Sequence, residues 1–136
     1  RNRHSCRWRL AAEEAGADGL SLINTRPGHR CGYQKRRPVL GNITGGLSGP
    51  AVKPVALRMV WQASHAVHIP ICGMGGIMTG TDAVEFMMAG ASAVQVGTAT
   101  LIDPRAMACV TEELEAWCTA EGIENVSDLT GAMKTE

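Results

Sequence analysis

The chain has no excess of either charge sign: 13 Lys and Arg stand against 13 Asp and Glu, a formal net charge of zero. Nucleic-acid and membrane-surface binding both draw on a basic surplus, so neither partner is expected. It also lacks any apolar run of the ~18 residues that a membrane span requires. Arg1, Arg3, Arg7 and Arg9 are followed by no apolar h-region, which argues against a secretory signal. Among Cys6, Cys31, Cys72, Cys109 and Cys118 there is no CxxC pair and no metal-ligand spacing. Scattered thiols without a leader fit a reduced, cytoplasmic protein. Cys72, inside an apolar run, reads as a small buried residue. None of His4, His29, His65 and His68 stands beside a nucleophile or carboxylate in a recognisable arrangement, so no catalytic histidine is expected.

What is present suits one modest domain: 136 residues, 45% of them hydrophobic. Residues 11–24 read as a helix end, a stop at Gly16 and a strand over about 19–23. Residues 54–66 read as a helix with Pro54 in its first turn and Arg58, Gln62 and His65 on one face. "IPICGMGG" (69–76) is a buried strand ending in a glycine pair. Residues 82–89 form a helix capped by Thr81 and stopped by Gly90. "AVQVG" (93–97) is a further buried strand. Asp103-Pro104 opens a helix to about Ala120, ahead of Gly122, and a short helix covers 126–133.

Phe86, Met87 and Met88 read as core, and "EELEAW" (112–117) as a solvated helix face. Two stretches do not join in. "RNRHSCRWRL" (1–10) and "RPGHRCGYQKRR" (26–37) carry neither a helical nor a strand period, and read as a tail and a surface loop, or as the product of a shifted reading frame.

Strands and helices that alternate, with near-continuous apolar strands, predict a parallel sheet covered by helices. Glycines follow the C-terminal end of each strand, where barrels and open α/β sheets place their ligands. Three strand–helix units cannot close an eight-stranded barrel. The expected architecture is therefore the last part of a larger α/β fold.

Three segments carry chemistry. "GMGG" (73–76) and "VGTA" (96–99) each end a strand, and bare backbone N–H groups there cradle the oxygens of a phosphate. Thr98 adds a hydroxyl; the bland alternative is a pair of tight turns. In "INT" (23–25), Asn24 and Thr25 offer an amide and a hydroxyl to a planar polar ligand, or simply satisfy turn backbone. "TGGLSG" (44–49) divides evenly between ligand loop and structural turn, with Ser48 as a candidate cap.

"ADGLSLINT", "RPVLGNITGGLSGPAVKPVALRMV", "IPICGMGGIMTGTDAVEFMMAGASAVQVGTA" and "GIENVSDLTGAMK" together closely resemble the dihydroorotate dehydrogenase family, and most nearly its class 1B catalytic subunits. The resemblance covers 11–25 and 38–133 of a single domain, with 1–10 and 26–37 departing from it. It implies the C-terminal part of an FMN-binding (β/α)8 barrel, incomplete in this chain, that oxidises dihydroorotate to orotate in pyrimidine biosynthesis. Carried over by position, Ile23 matches a residue beside the flavin, and Asn24 and Thr25 match those that hold orotate. Gly49, Gly75, Gly76, Gly97 and Thr98 match FMN contacts, the last four in the phosphate cradle.

The family's catalytic base, in class 1B a cysteine on an active-site loop, lies in its N-terminal half. None of the five cysteines here matches it. The resemblance thus implies no catalytic residue in this chain, and inactivity for the chain alone. It further implies an electron-transfer partner with FAD and an iron–sulfur cluster, and an oligomer at full length. Two alternatives stand beside it: a dihydropyrimidine dehydrogenase-type domain, and a non-catalytic fragment that binds flavin or phosphate. An open part-barrel exposes two strand edges, so poor solubility is expected.

Overall fold

The computed structural model describes residues 3–134, with side chains from Arg7 onward. His4 and Cys6 therefore lie outside the described side chains. The chain begins with α1 (Arg3–Glu14) and β1 (Leu20–Leu22). An excursion follows, through β2 (Arg26–His29), β3 (Cys31–Gly32), β4 (Arg37–Pro38) and β5 (Thr44–Leu47). A 3-10 turn (Pro50–Val52) leads into α2 (Lys53–Ser64). Then come β6 (Ile71–Met74), α3 (Gly80–Met88), β7 (Ala93–Gln95), α4 (Thr98–Ile102) and α5 (Ala106–Ala120), with a last 3-10 turn at Val126–Leu129.

The expected parallel sheet is there, in the order β1-β6-β7. Leu20 pairs with Ile71 and Leu22 with Gly73; Cys72 pairs with Ala93 and Met74 with Gln95. Because successive side chains alternate across a strand, this register sorts the sheet into two unlike faces. Leu20, Leu22, Ile71 and Val94 share one face and pack into a core with Ala56, Val60 and Phe86 from α2 and α3. Gly73 lies on the same face: a Cβ there would stand 2.7 Å from the Phe86 ring, so the bare strand lets α3 close onto it. Ser21, Ala93 and Gln95 on the other face are exposed. Phe86 and Met87 are core as expected, with Met88 half-buried.

Five expectations need correction. Residues 3–10 are helical. Among the described side chains of this stretch, from Arg7 onward, the buried one is Arg9 rather than an apolar residue, so those positions show no apolar stripe. Glu13 ties this helix to the start of β6 by accepting from the His68 and Ile69 N–H groups at 2.7 and 3.1 Å. The 26–37 stretch is no plain loop. β2 pairs antiparallel with β5, Arg26 opposite Leu47, and β3 pairs with β4. This ribbon is exposed on most of its length, so no alternation of apolar residues marks it.

Helix α3 starts two residues early, capped by Thr79 and not by Thr81. Only Thr79 has an acidic residue three positions on, and Thr79 and Asp82 exchange bonds in a capping box (3.3 and 3.0 Å). Finally, the helix expected from Asp103 is preceded by the separate α4, and the 126–133 helix shrinks to one 3-10 turn. The acidic face of α5 is exposed, yet Glu113 also accepts from the Gly80 N–H at 2.6 Å, clasping α5 to α3.

Candidate functional site

A cavity of about 530 Å³ opens at the C-terminal ends of β1, β6 and β7. Its size is ordinary for a site that takes a cofactor or small ligand. Parallel strands deliver their C-terminal turns to one side of a sheet, so three segments distant in sequence converge there. Ile23, Asn24 and Thr25 leave β1, Gly75 and Gly76 leave β6, and Gly97 and Thr98 leave β7; Gly49 enters from the 3-10 turn. All eight candidate residues line this one cavity.

Each wall has its own chemistry. Ile23 is buried and apolar, with its N–H bonded to the Met74 carbonyl at 3.1 Å. The Leu22–Ile23 peptide beside it is cis. Asn24 and Thr25 are exposed. The Asn24 Oδ1 accepts from the Thr25 N–H at 2.7 Å, and the Thr25 hydroxyl approaches it at 3.4 Å. One end of the Asn24 amide is thereby held, and its NH2 group keeps its donors for a ligand.

The glycines differ in why they are bare. Gly75 and Gly76 have φ of 121° and 83°, a left-handed backbone that L side chains rarely adopt. Gly76 is also crowded: a Cβ would come within 2.8 Å of both the Gly49 carbonyl and the Lys53 Cβ. Gly97 is otherwise. Its φ is −116°, and a Cβ would meet nothing within 4 Å. No neighbour in the protein requires that position to be bare, which leaves the space open to whatever the cavity holds.

The opening ambiguity of "TGGLSG" resolves by position. Gly45 and Gly46 belong to β5 and do not line the cavity. A Cβ on Gly45 would stand 2.7 Å from Leu40, and one on Gly46 would collide with the Thr25 side chain. Only Ser48 and Gly49 reach the cavity. Ser48 makes no capping bond; the 3-10 turn begins at Gly49, whose φ is 81°.

Six further lining residues were not among the candidates: Ser21, Ser48, Met74, Ile77, Gln95 and Val96. Ser21, Met74 and Gln95 sit on the exposed face of the sheet, and pairing the three strands in register would have grouped them. Cys72 shares that face and is half-buried rather than fully buried. Burial pushes its thiol above the usual cysteine range. Among the described residues no histidine lines the cavity; the Nδ1 atoms of His29 and His65 lie 2.6 and 2.8 Å from the carbonyls of Ile43 and Trp61.

Behind the glycine wall, Lys53 of α2 pairs with Asp82 and with Glu85 (2.9 Å) of α3. Burial alone would push the Asp82 carboxyl up. The Lys53 ammonium and the N–H groups of Met78 and Thr79 outweigh it and hold the group below the usual carboxylate range. Lys53 is likewise drawn down by burial, and raised on balance by hydrogen bonds and charge from Asp82 and Glu85. Among the described residues no cluster of His, Cys, Asp and Glu has the makings of a metal site, and no helix is long and apolar enough to cross a membrane.

A profile of the dihydroorotate dehydrogenase family matches residues 4–117. The chain is 59% identical over 125 residues to the dihydroorotate dehydrogenase B (NAD(+)) catalytic subunit of Geotalea uraniireducens, and 60% identical over 124 residues to that of Geotalea daltonii. These alignments take in 92% and 91% of this chain and 41% of either relative. Among solved structures, DHODH of Eimeria tenella superposes with a TM-score of 0.81 at 32% identity, both in complex with ferulenol and ligand-free. Those matches cover 97% of this chain and 35% and 37% of the solved chains.

Proposed function

The chain belongs to the dihydroorotate dehydrogenase family, alongside its class 1B catalytic subunits, and from that premise we propose that its cavity holds FMN for the oxidation of dihydroorotate to orotate. One observation carries the reading: the turns after three parallel strands bring a phosphate-type glycine wall, an apolar residue and an Asn-Thr pair around one cavity.

The residues present fit the group. Gly75, Gly76, Gly97 and Thr98 hold the phosphate through backbone N–H groups and a hydroxyl. Gly97 supports this most directly, since a Cβ there would occupy only open cavity. Ile23 and Gly49 flank the flavin, one buried and apolar, the other without a side chain. Asn24 and Thr25 orient the planar substrate by amide and hydroxyl bonds. Bound FMN supplies the acceptor for the hydride that leaves the substrate.

Among the described residues no Cys, His, Asp, Glu or Lys lines the cavity, so these walls position substrate and flavin and offer no base. The base is the active-site cysteine expected of class 1B, outside the residues of this chain. The chain spans about 41% of the length of the curated relatives it matches, and its three strands expose one face and two edges. The remaining strands of a (β/α)8 barrel complete that face. The eight candidate residues are the flavin and substrate contacts of this assembly. A partner subunit carrying FAD and an iron–sulfur cluster would be the route from this site to NAD+.

Flavin titration of the full chain tests the reading, with fluorescence quenching as readout and riboflavin as the phosphate-free control. FMN should bind at least about tenfold more tightly than riboflavin, the worth of a few charge-assisted bonds. Gly97→Val should abolish that difference. Equal affinity for the two flavins in the wild-type chain would remove the phosphate cradle from the assignment.

A further inference from the structure

The charged cluster behind the glycine wall lines no part of the cavity, yet it grips the wall from two sides. Lys53 opens α2, and its own backbone is one side of the grip. A Cβ on Gly76 would lie 2.8 Å from the Lys53 Cβ and 2.9 Å from its N, so Gly76 rests directly on this residue. Across the turn, the Lys53 Nζ donates to Asp82 Oδ1 and to Glu85 Oε1. Asp82 uses its second oxygen, Oδ2, to accept from the N–H groups of Met78 and Thr79 at 2.8 and 3.0 Å. The turn from Gly75 to Thr79 is thus enclosed by one connected network: α2 backbone, ammonium, carboxylate, turn backbone. The two partners are mostly shielded, with 21% and 13% of their side-chain surfaces exposed.

Charge balance excludes a simpler role. One ammonium faces two carboxylates, so the cluster carries a net negative charge and offers no free cation to an anion in the cavity. Lys53 does not act as the counter-charge of a phosphate.

We propose that Lys53 is a positioning residue for the phosphate end of the flavin site: clamped by Asp82, it sets the Gly75–Gly76 backbone in the arrangement that receives the phosphate. The inference rests on the reading of the cavity as an FMN site. It predicts a signature that plain stabilisation lacks. A pair that only held α2 to α3 would, on removal, lower the melting temperature and weaken all flavins alike. A clamp on the phosphate turn acts on the phosphate alone.

The test compares FMN and riboflavin binding to the full chain as wild type, Lys53→Met, Lys53→Arg and Asp82→Asn, with thermal unfolding followed by circular dichroism. In Lys53→Met the preference for FMN should fall about tenfold while riboflavin affinity stays within about twofold, as misplacement of preorganised donors by a fraction of an ångström would give. Lys53→Arg, which keeps the cation within reach of both carboxylates, should restore most of the preference. Asp82→Asn, which retains size and an acceptor, should lose part of it and gives the same readout if Lys53→Met does not fold. An unchanged FMN preference in the folded variants, or an equal loss for both flavins, overturns the clamp. A wild-type chain with no FMN preference overturns the cavity assignment itself, and the clamp with it.

Discussion

Gly45-Gly46 and Gly75-Gly76 look interchangeable as sequence: both are glycine pairs within a short reach of a helix. In the folded chain they serve different neighbours. Gly45 and Gly46 lie extended in β5, and what forbids a side chain there is other protein, Leu40 in one case and Thr25 in the other. Gly75 and Gly76 turn the chain with positive φ at the cavity wall, and Gly76 rests on Gly49 and Lys53. The first pair therefore acts at one remove, Gly46 by leaving room for Thr25 of the cavity wall. The second presents its own backbone. Density of glycine marks close approach, and only the fold says what approaches.

The largest effect should come from the second pair. Gly76→Ala combines a left-handed φ with contacts of 2.8 Å to the Gly49 carbonyl and the Lys53 Cβ. A destabilisation of about 2–3 kcal/mol is expected, together with loss of the preference for FMN. Urea unfolding of the variant beside wild type measures the first part; a change under about 0.5 kcal/mol would mean that the turn relaxes freely.

A smaller and more selective effect is expected from Gly46→Ala. Its new methyl group displaces the Thr25 side chain, an exposed and movable neighbour, at a cost of about 1 kcal/mol. Orotate affinity should drop while FMN affinity holds, as isothermal titration with each ligand in turn would report. If both ligands weaken together, the division of labour between the two glycine pairs is wrong.

The smallest effect concerns pH. The stabilising influence of Asp82 is fully present above the unfolded value of about 3.9 and is lost as pH falls through its lowered folded value. That of Lys53 is complete below about 10.4 and is lost as pH rises through its raised folded value. Melting temperature should therefore decline at both extremes and stay level between them. Lys53→Met should flatten both limbs; a wild-type profile in that variant would show the pair to be solvent-screened and idle.

How much of this was legible beforehand depends on the kind of signal. β6 and β7 were readable because buried parallel strands are short apolar runs, and the turns after them because glycines punctuate those runs. Of the candidate residues, Gly75, Gly76, Gly97 and Thr98 were legible for the same reason, at glycine turns after strands, whereas Ile23 and Gly49 were singled out by the family resemblance. α1 was not, since its buried contact is Arg9 and its anchor is the Glu13 carboxylate, neither of which contributes an apolar period. The β2–β5 ribbon was missed because its register is set by partners 15 to 21 positions apart along the chain rather than by alternation within either strand.

Residue order alone thus carried the class of fold and the identity of the cavity's walls: periodicity and turn chemistry act over a few neighbouring residues and leave a local trace. The folded chain was needed to separate the two glycine pairs, to group Ser21, Met74 and Gln95 on one face, and to join Lys53 to Asp82 across 29 positions. Those relations depend on distance in space, where a shielded ion pair or a single excluded methyl group has its effect, and nothing in the spacing along the chain reports it.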